Sequence, residues 1–164
     1  MQARRKAERA AREQRISDQE APHSGSAIII ASWVGTGLFA LTAILAVASP
    51  SVFAGPALAV SLTLFALGMA AFAWAILVAI ARSTTDAIGI GGLFFLQGSA
   101  PRSAQLNLMG SLATEIVAAA ATAAARPFTS LAFGTLVPLF GLGLAGLWGA
   151  RHGVFDPRHE HGTS

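Results

Sequence analysis

The sequence predicts an all-α fold, an integral membrane bundle of four transmembrane helices with both termini on the cytoplasmic side. Three observations point there. Of the 164 residues, 54% are hydrophobic and only 12% are charged, whereas a soluble domain carries about 25% charged residues. Apolar runs near the roughly 20 residues that a bilayer demands recur along the chain. The arginines sit almost wholly at the ends of those runs. The length suits one domain. There is no cysteine, which excludes disulfides, thiolate metal sites and thiol nucleophiles, and no tyrosine, which removes phenolic acid–base chemistry. The net charge of +3 does not signal nucleic acid, because the basic residues flank apolar runs instead of forming a patch. No specific nucleic-acid partner and no cofactor is expected.

Residues 1–25 form a basic, solvated cytoplasmic tail. Arg4–Glu8, Glu8–Arg12 and Arg9–Glu13 stand at i,i+4 spacing and favour a surface helix. An apolar stripe for lying on a membrane is missing. Pro22, Ser24 and Gly25 end the tail, and the transmembrane domain follows over 26–150.

The first span covers about 27–48, AIIIASWVGTGLFALTAILAVA. Ala46-Val47-Ala48 has the look of a signal-peptide cleavage site, but the apolar run exceeds the usual 7–15 residues of such segments. An uncleaved anchor is expected. Residues 49–55 read as a short turn, and Pro56 suits the first helical position of a second span over 57–81. Residues 82–105 form the longest connection. Its apolar stretch 88–97 is too short to span, and Gly89, Gly91, Gly92 and Gly98 oppose a continuous helix. An apolar loop at the interface or tucked against the bundle is expected, with a re-entrant segment as the alternative. The run GIGG lacks the spacing and lysine of a phosphate-binding loop. A third span over 106–125 is joined by the tight turn Arg126-Pro127 to a fourth over 128–150, and residues 151–164 form a polar cytoplasmic tail.

Four crossings place Arg4, Arg5, Lys6, Arg9, Arg12, Arg15, Arg82, Arg102, Arg151 and Arg158 on one side and Arg126 alone on the other. By the positive-inside bias, the crowded side is cytoplasmic and the chain lies in the cytoplasmic (inner) membrane as a multi-pass protein.

The third span carries an acid, Glu115, near its middle. An ionised side chain there costs roughly 2.5–3.5 kcal/mol on insertion scales, so this helix needs neighbours. At 100° per residue with Glu115 at zero, Ser111 falls near −40°, Thr122 near −20° and Arg126 near +20°. Ser111, Glu115, Thr122 and Arg126 therefore form one polar stripe that must face other helices, a water-filled cavity or a second protein. Glu115 is either a proton-, cation- or substrate-linked carboxylate or a hydrogen-bonded acid that fixes packing through Ser32, Thr36, Ser61 or Thr63. A second intramembrane acid, which a pump would be expected to show, is absent.

Small residues mark packing faces. Gly141, Ala145 and Gly149 on the fourth span, and Gly110, Thr114 and Ala118 on the third, predict a close hairpin between those two helices. Pro138 predicts a kink at mid-depth that frees a carbonyl near Glu115. Arg82, Arg102, Trp148 and Arg151 are expected as interfacial anchors. His159 and His161 form a His-Glu-His run too small for a dedicated metal site. No GxSxG, HExxH or DxD constellation exists, so an enzyme is not expected.

The run RPFTSLAFGTLVPLFGLGLAGLWGARHGVFDPR, Arg126 to Arg158, with the alanine-rich helix before it, resembles small uncharacterised multispanning membrane proteins of actinobacteria, mainly over 106–158. The resemblance implies a membrane location and an organism class; no catalytic residue carries over from it. The function expected is that of a non-enzymatic accessory or scaffold subunit, touching lipid and either a membrane-protein partner or a second copy of itself. The alternative is a small oligomeric transporter or channel with Glu115 lining the path.

Overall fold

A computed structural model describes residues 25–157, together with Lys6, Ala10, Ala11 and Gln14, which are helical and exposed. The rest of the expected tail helix, and the C-terminal His159 and His161, lie outside the described residues. In chain order the elements are α1 (Ser26–Ala48), α2 (Pro50–Arg82), β1 (Asp86–Ala87), α3 (Ile90–Phe94), α4 (Arg102–Ala125), a 3-10 helix (Ser130–Leu136), α5 (Pro138–His152) and β2 (Asp156–Pro157). Four helical stretches, the fourth being the 3-10 helix and α5 together, are long and apolar enough to cross a membrane. The fold is an all-α membrane bundle.

Several boundaries differ from the sequence reading. Only Ser49 separates α1 from α2, because Pro50 takes the first helical position that was expected of Pro56. Pro56 lies inside the 33-residue α2. The third span starts at Arg102, the residue after Pro101, whose fixed φ of −58° ends the preceding loop. The fourth crossing is not one kinked α-helix. A 3-10 stretch runs to Leu136, and Pro138 opens α5 as its first residue.

One end of the bundle is fixed by specific contacts. A two-residue antiparallel ladder pairs Asp86 with Pro157 and Ala87 with Asp156. The Arg82 guanidinium donates to Asp86 Oδ2 (2.8 Å), to the Ala150 carbonyl (2.8 Å) and to the Gly153 carbonyl (3.2 Å). Arg82, expected as an interfacial anchor, thus closes the C-terminal end of α5, where carbonyls lack helical partners.

Segment 88–97 tucks against the bundle. Leu93 and Phe94 are buried, Leu96 is 0% exposed, and Phe94 stacks on Phe72 with centroids 4.8 Å apart. Leu96 adopts φ +57°, the left-handed region that favours glycine. The Gln97 N–H closes α3 onto the Gly91 carbonyl at 3.1 Å, so this leucine takes the usual glycine place of a helix terminator. Its side chain packs with Ala100, Ala104, Leu108, Ala145 and Trp148, which offsets the backbone strain.

The third and fourth spans do pack on each other, but the small-residue faces expected to join them are used only in part. α5 packs most extensively on α2 rather than α4. A β-carbon at Gly143 would lie 2.5 Å from the Gly68 carbonyl oxygen, and one at Gly68 would lie 2.6 Å from the Phe140 backbone nitrogen and Cα. Gly141 and Ala145 do reach α4 side chains. Gly149, however, abuts the Leu93 carbonyl; Gly110 faces Trp33 of α1, and Thr114 is exposed. The reason is that segment 88–97 fills the space over one end of α5, while Phe140 occupies the gap opposite Gly35 of α1.

Candidate functional site

The polar stripe read from the sequence meets α1 along a constant register. Ser32 bonds Ser111 and Thr36 bonds Glu115, each pair 79 residues apart. Arg126 reaches the Val47 carbonyl at the same separation of 79. A single offset over residues 32–47 means that α1 and α4 run parallel for about 22 Å without slip, at 1.5 Å per residue.

Glu115 is 0% exposed, as are Ser32 and Ser111, while Thr36 is 2% exposed. Thr36 Oγ1 lies 2.8 Å from Glu115 Oε1 and 2.9 Å from the Ser32 carbonyl, so one hydroxyl proton serves two acceptors. The other carboxyl oxygen, Oε2, accepts the Gly141 N–H at 3.1 Å. Ser111 Oγ donates to the Leu108 carbonyl at 3.0 Å, which leaves Ser32 as the donor to Ser111. Each polar side chain of the cluster has a partner inside the chain.

The Gly141 N–H is available because of Pro138. Val137 stands before the first residue of α5, and its carbonyl takes the Phe140 N–H at 2.7 Å. That 3-10-type bond leaves the next amide, Gly141, to an outside acceptor. The proline therefore frees an N–H near Glu115, not the carbonyl that the sequence reading expected. Gly141 also has to be glycine, because a β-carbon there would lie 2.7 Å from Glu115 Oε2 and 3.2 Å from Leu112 Cα. This role of Gly141 was missed from sequence; the signal was a glycine three residues after a proline in an apolar span.

The remaining predicted residues separate. Thr122 is 6% exposed and gives its hydroxyl to the Ala118 carbonyl at 2.6 Å, within its own helix. Arg126 lies on the same face but is exposed, and its guanidinium donates to the Val47 carbonyl at the C-terminal end of α1 (3.1 Å), where a cation is favoured. Trp148, expected as an interfacial anchor, is instead 3% exposed. Leu96, Ala100 and Ala104 pack with it in one cluster, so the connection over 82–105 takes the ring out of lipid. Trp33 and Trp74 are the exposed tryptophans, and Trp33 Nε1 donates to Asn107 Oδ1 at 3.2 Å. Arg102 and Arg151 are exposed. Among the described residues, no three His, Asp or Glu side chains gather to hold a metal ion.

Fold and site together define a four-span helical membrane protein with a sealed polar cluster joining α1, α4 and α5. No family model, no curated protein and no solved structure matches the chain.

Proposed function

We propose that the protein is a non-enzymatic accessory or scaffold subunit of the cytoplasmic membrane, working through contact of its outer helix faces with a larger membrane complex or with a second copy. The observation that carries this is the internal satisfaction of Glu115: Thr36 and Gly141 occupy both of its oxygens, at 0% exposure. A transport pathway needs its carboxyl group to meet water or cargo, and this one is committed to holding three helices together. The outward surface is apolar, including Ile30, Val34, Leu38, Leu41 and Ile44 of α1 and Leu67, Trp74, Leu77 and Ile80 of α2. The ten-to-one distribution of basic residues supports both termini facing the cytoplasm.

The test is cross-linking in native membranes followed by extraction in mild detergent and mass spectrometry. The proposal expects a stoichiometric membrane-protein partner or a defined homo-oligomer, with background flux in proteoliposomes. A monomer without partner contradicts it. Flux that Glu115→Gln abolishes would establish the transporter alternative.

A further inference from the structure

An open lateral groove of about 420 Å³ lies between α2, α4, the 3-10 helix and α5, with Phe95 at one end. Leu112 and Ile116 of α4 and Leu139 and Leu142 of α5 line it, with Thr135 among the remaining lining residues. The Thr135 hydroxyl is spent on the Ala132 carbonyl at 2.7 Å, so the wall offers hydrocarbon contact alone. Leu112 and Ile116 stand about 15 and 21 Å along α4 from its first residue at 1.5 Å per residue, near the middle of a hydrocarbon layer about 30 Å thick. Water does not fill an apolar groove at that depth. The volume is nearly three times that of a roughly 150 Å³ cavity that takes benzene, and it falls in the range of ligand sites, about 300–1,000 Å³. It suits a flexible chain better than one side chain of a partner.

The polar end of such a ligand is set by α4. Arg102, Gln105, Met109, Leu112 and Ile116 follow one another at steps of three and four, and so share one helix face. Gln105 Nε2 is bound to the Phe95 carbonyl at 3.0 Å, which ties this face to the groove's mouth. Arg102, one turn further out, is exposed and pairs with no acid among the described residues. Arg82, by contrast, is taken up by Asp86 and two carbonyls.

We infer that this groove is a binding site for one acyl chain of an anionic phospholipid, whose phosphate is held at Arg102. The full chain is reconstituted in mixed phosphatidylglycerol and phosphatidylcholine vesicles, with a photoactivatable diazirine on the acyl chain of one lipid or the other. Adducts are mapped by mass spectrometry. Labelling concentrates on Phe95, Leu112, Ile116, Leu139 and Leu142, above equally apolar Val34, Leu41 and Leu77. Arg102→Gln lowers phosphatidylglycerol labelling there about fivefold, one basic residue's share of attraction to an anionic headgroup, and leaves phosphatidylcholine labelling unchanged. Ile116→Trp, which fills the groove, removes the groove adducts and leaves those on α1. Even labelling of all outward faces overturns the inference. So does equal loss of both lipids in Arg102→Gln, or capture of a protein helix instead of lipid by a photo-cross-linker placed at position 116 in native membranes.

Discussion

Replacing Glu115 separates two roles that a buried acid can have, because its partners respond differently to alanine and to glutamine. In Glu115→Ala, Thr36 keeps the Ser32 carbonyl at 2.9 Å, but the Gly141 N–H loses its acceptor. Two interhelical bonds disappear, each worth about 0.6 kcal/mol on average inside membranes. The orphaned amide adds roughly 1–3 kcal/mol of uncompensated burial. The expected loss is about 2–4 kcal/mol. A glutamine reproduces the pattern: its oxygen accepts from Gly141, its amide donates to Thr36 Oγ1, and the Thr36 proton goes to the Ser32 carbonyl. Glu115→Gln should therefore lie within about 0.5 kcal/mol of the native protein, the range of a change that breaks no feature of this kind. Reversible unfolding in mixed micelles, followed by tryptophan fluorescence against denaturant, reads both values. A loss in Glu115→Gln equal to that in Glu115→Ala would refute the hydrogen-bonded clamp and assign the work to charge. No loss in Glu115→Ala would show the cluster to be idle.

Further outcomes follow from the same contacts. Thr36→Val should cost about 0.6–1.7 kcal/mol and be non-additive with Glu115→Ala in a double-mutant cycle, since both changes break the one 2.8 Å bond. Gly143→Ala should cost about 3 kcal/mol or more, because its β-carbon would strike the Gly68 carbonyl, which is backbone and cannot turn away. Gly37→Ala is the control: nothing lies within 4 Å of a β-carbon there, and helix propensity favours alanine by about 0.8–1 kcal/mol. Denaturant midpoints of the two variants should move in opposite directions. Arg82→Ala should speed hydrogen exchange at Val154 and over 86–101, because it frees Asp86 and two carbonyls beside the ladder; unchanged exchange would remove Arg82 from the closure.

The four spans were legible because length and apolarity are properties of each run by itself. The buried face of the third span was legible too, since 3.6-residue periodicity puts Ser111, Glu115 and Thr122 on one side whatever the neighbours are. Thr36 was among the partners that composition offered. Its selection over Ser61 and Thr63 depends on the register of 79 between α1 and α4, which only packing sets. The Gly141 amide was hidden for a different reason: side-chain patterns do not report which backbone N–H a 3-10 to α junction leaves over. Trp148 misled because an aromatic residue near a span's end has the same sequence signature whether lipid or a folded-back loop covers it. Pro56 misled in the same way, as an N-terminal proline and one a turn and a half further in differ only in where the preceding chain bends.

Glu115 is closed to water inside α1, α4 and α5. The chain contains no cysteine, so Glu115→Cys introduces a unique thiol that can be probed in native membranes with a membrane-impermeant maleimide applied from each side. No reaction is expected from either side until the protein is denatured, while Phe128→Cys, at a fully exposed position, reacts at once. Rapid labelling at position 115 in the folded protein would contradict that closure and reopen a water-filled path through the bundle.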